Sequence, residues 1–297
     1  MENKPHKAGF VSIIGKPNAG KSTLMNALMG EKLSIITPKA QTTRHRIMGI
    51  LNTDDYQIVY SDTPGILKPQ YELHKAMMRY VNFSLEDADA ILVVIDISDK
   101  EEQTEVLEKL QKSTTSLIVI LNKIDLADEA KVKEAIAKWS ALPNTSAVIP
   151  VSALKLFNTE LVLQEILKLM PEHPAYYDKD QGELTDRPER FFAAEIIREQ
   201  IFRFYEQEIP YSSEVGIESF KEGKDILKIA AIIFVERDSQ KGIIIGKGGS
   251  MLKKVGTEAR KAMEIFFGKK VFLETFVKVE PDWRSNEQKL RRFGYEQ

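Results

Sequence analysis

The chain has 297 residues, a formal net charge of −2 and the proportions of an ordinary globular protein, 43% hydrophobic and 29% charged. That length allows two domains with separate cores, and the near-neutral balance means that any nucleic-acid surface must be found locally. The absence of cysteine excludes disulfides, thiolate metal sites and cysteine nucleophiles, and the four histidines show no paired zinc-like spacing. The start, Met1-Glu2-Asn3-Lys4-Pro5-His6-Lys7, lacks the apolar core of a secretory signal. The longest apolar runs, Ala90–Ile97 and Ser116–Leu121, are too short to cross a bilayer, so a cytoplasmic protein is expected.

Phe10–Ile14 is an apolar run that reads as a strand. It leads into Gly15-Lys16-Pro17-Asn18-Ala19-Gly20-Lys21-Ser22, after which Leu24, Leu28 and Met29 recur at helical spacing. Gly-x4-Gly-Lys-Ser between a strand and a helix is a phosphate-binding loop. Its backbone N–H groups and the helix N-terminus cradle a diphosphate, Lys21 reaches the β- and γ-phosphates, and the Ser22 hydroxyl, with Thr23 beside it, faces a Mg²⁺ ion.

Ile47–Leu51 and Tyr56–Tyr60 flank the turn-rich Asn52-Thr53-Asp54-Asp55 and read as a hairpin. Asp62-Thr63-Pro64-Gly65 follows directly. After a phosphate loop it reads as the γ-phosphate sensor, with Asp62 holding Mg²⁺ through water and the Gly65 N–H reaching the γ-phosphate. Helical patterns at Leu73–Leu85, Gln103–Leu110, Glu129–Trp139 and Glu160–Leu169 alternate with apolar runs at Ala90–Ile95, Leu117–Leu121 and Ala147–Val151. Strands so continuously apolar are buried on both faces, which predicts an α/β domain with a mostly parallel sheet and helices on both faces.

Asn122-Lys123-Ile124-Asp125 follows one of these strands. A carboxylate at Asp125 accepts from guanine's ring N–H and exocyclic amine, whereas adenine would set a lone pair against it. Ser152-Ala153-Leu154 after the next strand supplies the matching loop, with the Ala153 N–H expected at guanine O6. An ATP-using P-loop kinase would lack this guanine selector.

Pro171-Glu172-His173-Pro174 ends the last helix, and the aperiodic polar stretch Tyr177–Glu183 reads as a linker. Asp186-x-x-Glu189, with Pro188 between, reads as a capping box that opens a helix bearing Phe191, Ala194, Ile197, Ile201 and Phe204 on one face. Alternation then predicts strands around Val215–Ile217, Ile226–Val235 and Val271–Val277. The apolar Gly242–Ile245 leads to Gly246-Lys247-Gly248-Gly249 and a helix carrying Leu252, Val255, Ala259, Ala262 and Phe266. This order of elements around Gly-x-x-Gly resembles the type II KH domain, a smaller α+β fold. Lys241, Lys247, Lys253, Lys254, Arg260 and Lys261, against Glu258 and Glu264, give the loop a local positive excess that suits single-stranded RNA.

From Phe10 to about Val279 the chain resembles the Era family of ribosome-assembly GTPases. That resemblance covers Thr185-Asp186-Arg187 through Glu195-Ile196-Ile197-Arg198-Glu199 and also Ile209-Pro210-Tyr211-Ser212. It implies a GTPase domain over residues 1–172, a linker over 173–188 and a type II KH domain over 189–297. It also implies GTP hydrolysis with Mg²⁺ and binding near the 3′ end of small-subunit ribosomal RNA during subunit maturation. Gly30–Thr43 would be the first switch loop. Within Gln41-Thr42-Thr43-Arg44, related switches favour Thr43 as the Mg²⁺ ligand, with Thr42 the alternative. Many small GTPases place a water-orienting glutamine where this chain has Ile66. In the monovalent-cation-dependent members an asparagine at the position of Asn18 ligates K⁺ beside the β–γ bridge. Some relatives associate peripherally with the inner membrane, yet the only basic candidate here is the short Glu287–Phe293 with Lys289, Arg291 and Arg292. A monomer is expected.

Overall fold

Apolar runs bounded by turn residues pair edge to edge because burying them leaves backbone N–H and C=O groups that only a ladder can satisfy. In the computed structural model, which describes residues 6–101, 103–110, 113–178 and 182–295, two compact units form. They are Met1–Gln70 with Met77–Asp186, and Arg187–Gln297 with the short segment Tyr71–Ala76. The start of the chain through Pro5 and the linker residues 179–181 lie outside the described residues.

The first unit holds strands β1 (Lys7–Ile14), β2 (Ile47–Asn52), β3 (Tyr56–Asp62), β4 (Ala90–Asp96), β5 (Ser116–Asn122) and β6 (Thr145–Pro150) in the order β2-β3-β1-β4-β5-β6. Only β2 runs antiparallel to its neighbour, and it forms the expected hairpin with β3. Between the strands lie α1 (Lys21–Met29), α2 (Glu72–Glu86), α3 (Thr104–Leu110), α4 (Glu129–Ser140) and α5 (Thr159–Leu169). Consecutive residues of β1, β4 and β5 are buried, so the centre of the sheet is covered on both faces. The phosphate loop and the loops that follow β3, β5 and β6 all leave the same end of the sheet, where open α/β sheets bind ligands.

The stretch expected as a linker does more than connect. Tyr176 and Tyr177 donate their N–H groups to the side-chain Oε1 of Gln57 on β3, and further along Ile50 donates its N–H to Leu184 O and Gly49 bridges Thr185, so the end of this stretch extends the β2 edge. The capping box does not form. The helix begins after Pro188 with no side-chain cap, and Asp186 instead accepts from the Met48 N–H at 3.3 Å, satisfying an edge strand of the first unit.

The second unit holds α6 (Glu189–Phe204), α7 (Ile209–Ser212), β7 (Glu214–Glu222), β8 (Ile226–Val235), α8 (Asp238–Ile245), α9 (Ser250–Phe267), β9 (Lys270–Val279) and α10 (Glu287–Arg292). β7 is antiparallel and β9 parallel to the central β8. One core gathers Ile197 and Ile201 of α6, Ile229 and Ile233 of β8, and Val255, Ala259 and Met263 of α9.

Candidate functional site

The first-unit loops enclose a cleft of about 670 Å³ lined by Lys21, Ser22, Thr43, Asn122, Asp125 and Leu154 among others. At the phosphate end Lys21 caps β1's loop from the first turn of α1. It is 5% exposed and its ammonium donates to Gly15 O at 3.2 Å and Lys16 O at 2.8 Å. Burial pushes its pKa down to about 8, only partly opposed by the Asp62 charge. Gly20 has φ 96, and a Cβ there would fall 2.1 Å from Asn122 Nδ2, so this position of the loop requires glycine.

Ser22, Thr43 and Asp62 meet at one point. Ser22 Oγ donates to Asp62 Oδ2 at 2.7 Å and lies 2.8 Å from Thr43 Oγ1. Thr42 is turned away, donating to Lys39 O at 2.7 Å. Asp62 is fully buried. Its Oδ1 has the Ser34 hydroxyl nearby but no hydrogen bond of proper geometry, and burial raises its pKa despite the Ser22 bond and the nearby Lys21. A buried carboxylate oxygen without a partner, two hydroxyls beside it and hard oxygen chemistry throughout fit a Mg²⁺ ion. Ser22, Thr43 and Asp62 would hold it.

At the base end Asn122 acts as a brace. Its Nδ2 donates to Ala19 O at 2.8 Å and its Oδ1 accepts from the Ala153 N–H at 3.0 Å, tying the phosphate loop to the loop after β6. The Ala153 N–H, expected at guanine O6, is therefore spent on Asn122, because a donor so buried needs a partner. Ser152 Oγ donates to Asp125 Oδ1 at 2.6 Å, and this bond, outweighing desolvation, holds the carboxyl below its ordinary range. Leu126 and Leu154, 65% and 78% exposed, border the cleft and offer apolar surface to a flat base.

Several expected residues act through backbone or neighbours. Lys16 places its ammonium 3.1 Å from Glu101 and 3.6 Å from Asp99, outside the cleft, leaving only its backbone to the phosphate cradle. Thr63 donates to Ile13 O at 2.7 Å and pins the sensor loop to β1. Pro64 is buried beside it, and a Cβ on Gly65 would fall 2.6 Å from the Pro17 backbone. Lys123 donates to Asp96 Oδ2 at 2.6 Å. Partial burial would raise the Asp96 carboxyl, but the bonds from Lys123 and Ser98 keep it lowered. Asp96 and Leu126 are absent from the sequence-derived set; the position of Asp96 at the end of β4, where open sheets bind ligands, was the available signal. Ile66 is 3% exposed and does not line the cleft.

Because a triphosphate prefers the ammonium form, free protein above pH about 8 must take up a proton at Lys21 on binding. GTP affinity should fall by up to about tenfold per pH unit there. Calorimetry in buffers of different ionisation heat should show proton uptake that Lys21→Arg removes; no uptake would refute the assignment.

In the second unit Gly246, Gly248 and Gly249 have φ of 70°, 59° and 78°, a run only glycine adopts readily, between α8 and α9. A Cβ on Gly248 or Gly249 would meet nothing within 4 Å, so the loop's outer surface is open to a ligand. Lys247, Lys253 and Lys254 are exposed and Lys241 half-buried. Lys254 rests its ammonium 4.4 Å from the Phe204 ring centroid. Arg260 and Lys261 are neutralised by Glu264 and Glu258, so the positive excess narrows to the lysines nearest the loop.

The profile of 50S ribosome-binding GTPases matches residues 10–123, and that of the KH domain matches residues 208–284. GTPase Era of Syntrophus aciditrophicus is 46% identical over 97% of this chain and 95% of its own length. GTPase Era of Geotalea daltonii is 45% identical over 100% of both. A solved structure of Era in complex with MgGDPNP and nucleotides 1506–1542 of 16S ribosomal RNA is 40% identical, with a TM-score of 0.92 over 98% of this chain and 100% of that one. A variant of Aquifex aeolicus Era bound to GDP and AlF4⁻ superposes with the same TM-score of 0.92. Both domains, in the same order and at this identity over nearly the whole length, place the chain in the Era family of GTPases.

Proposed function

We propose that the chain is a GTP-hydrolysing switch that binds single-stranded ribosomal RNA near the 3′ end of the small-subunit RNA and acts in small-subunit maturation. The carrying observation is the cleft itself: Lys21 over the Ser22–Thr43–Asp62 cluster at one end, Asp125 oriented by Ser152 at the other. The glycine loop on the second unit, in a chain this similar to the RNA-bound Era structure, supplies the RNA half.

Lys21 and the backbone N–H groups bind and orient the phosphates, Asp125 selects guanine, and Asn122 keeps the two loops in register. Ser22, Thr43 and Asp62 would hold Mg²⁺, which would supply positive charge to the phosphate oxygens. Ile66 cannot hydrogen-bond water, so intrinsic turnover is slow and depends on charge and positioning. Crosslinking of cellular RNA to the chain, mapped at nucleotide resolution, tests this reading; crosslinks scattered over unrelated RNAs would sink it. Turnover measured with and without RNA separates a hydrolytic switch from an RNA chaperone that hydrolyses barely at all.

Asn18 would hold K⁺, which would add positive charge beside the phosphates. Asn18 has φ 62, and its Nδ2 donates to Pro38 O at 3.0 Å, which ties the phosphate loop to the switch loop and leaves the amide oxygen as the atom that would ligate a cation. Hydrolysis should be faster in K⁺ than in Na⁺ at equal ionic strength, and Asn18→Ala should erase the difference. Equal wild-type rates in the two salts would make Asn18 a purely structural residue.

The chain works as a cytoplasmic monomer in this reading. No helix among the described residues is long and apolar enough to cross a membrane. α10 turns Leu290 into the second unit, and Phe293 just after it packs on Phe234, which leaves little apolar surface there for peripheral attachment.

A further inference from the structure

In the second unit's sheet, Leu227, Ile229, Ala231 and Ile233 of β8 and Val271, Leu273 and Val277 of β9 turn toward the helices. Their alternates form the opposite face in register: Lys228 beside Phe272, Ala230 beside Glu274, Ile232 beside Phe276, Phe234 beside Lys278. One end of that face is closed by the chain itself. Phe293 packs on Phe234 with ring centroids 4.8 Å apart, and Tyr295 donates to Glu214. The other end is open, with Phe272 and Phe276 50% and 54% exposed.

Four lysines frame these rings: Lys221, paired with Lys228 across the β7–β8 ladder, Lys228 itself, and Lys270 and Lys278 at the two ends of β9. All four are exposed, and among the described residues none of their ammonium groups makes a hydrogen bond or salt bridge. Glu274, between the rings, and Glu218, at the bulge of β7, are acids of this region, and Glu264 at the end of α9 lies within electrostatic reach of Lys270.

We propose that this open face is a second platform for single-stranded RNA, separate from the glycine loop. The two rings are about 13 Å apart along the strand, far enough to take different bases, and a flat sheet lets bases lie on aromatic faces. The lysines stand where phosphates of such a strand would run. Protein–protein interfaces are depleted in lysine, so this mixture of lysine and exposed phenylalanine fits a polyanion with aromatic bases better than a protein partner. The proposal rests on the RNA-binding reading above and extends it to a longer strand.

The experiment compares two labelled single-stranded RNAs at fixed salt, one short enough for the glycine-loop cleft alone and one extended at both ends. Phe272→Ala/Phe276→Ala should weaken the long RNA by about tenfold or more and leave the short one unchanged. Lys228→Ala/Lys278→Ala should reduce the salt slope for the long RNA by about 1.4. Circular dichroism checks that each variant folds, which half-exposed positions should allow. Unchanged affinity of the aromatic variant for the long RNA overturns the proposal. So does a wild-type dimer, seen by sedimentation, that the aromatic variant converts to monomer, because the face would then be a self-interface. If neither RNA binds the wild type, the RNA-binding reading fails, which is a distinct result from loss of the long-RNA increment alone.

Discussion

Asp125→Asn should move the chain from GTP to xanthine triphosphate. The carboxylate proposed to read guanine's donor edge already accepts the Ser152 hydroxyl on Oδ1 at 2.6 Å, which directs Oδ2 to the base. The amide of the variant offers Oδ1 to Ser152 and turns its NH₂ toward the base. That group opposes guanine's donors and matches the extra carbonyl of xanthine. A site that leaves buried polar groups mispaired rejects the wrong partner by as much as about 10⁴-fold. Ser152→Ala added to the variant should erode the switch, since the amide is then free to rotate. Because the Ser152 bond keeps the wild-type carboxyl ionised well below neutrality, wild-type base selection should not change between mildly acidic and neutral pH. Competition binding with both nucleotides measures it; equal affinity of a folded variant for the two would refute the role of Asp125.

The site was legible wherever the chain itself makes the turn. Gly15–Ser22, Asp62–Gly65 and Gly246–Gly249 announce themselves because the backbone at these points needs glycine and the flanking periodicities frame it. Partner choices across distance were not. Asn122 gives one amide N–H to Ala19 and its oxygen to the Ala153 N–H, and no spacing in the sequence says that it braces these two loops. Lys16 looks like a phosphate ligand in the motif, yet two acids after β4 capture its ammonium. The aperiodic stretch after α5 gave no sign of docking on β2, because edge pairing uses backbone groups that every residue carries. Asp186 shows the same limit: a cap and an edge acceptor need the same side chain, and the edge strand claims it.

RNA binding should fail when the glycine loop is given carboxylates. Lys247→Asp with Gly248→Asp removes one phosphate-facing ammonium and sets two negative charges where the nucleotide backbone must come close. The choice of positions follows from the loop's geometry. Gly246 is unsuitable, because a Cβ there would fall 2.8 Å from Met251 and the result would report on packing. At Gly248 a Cβ meets nothing within 4 Å, so the substitution costs only the left-handed backbone at φ 59. Aspartate tolerates that region better than most residues, which keeps the fold cost small. Repulsion and lost contacts should weaken single-stranded RNA by about 1–3 kcal/mol, roughly ten- to hundredfold. GTP affinity should not change, because the loop belongs to the second unit's own fold and the nucleotide residues all belong to the first. Circular dichroism establishes folding and a titration with labelled RNA at fixed salt gives the affinity. A folded variant that binds RNA like the wild type would remove the glycine loop from the RNA site.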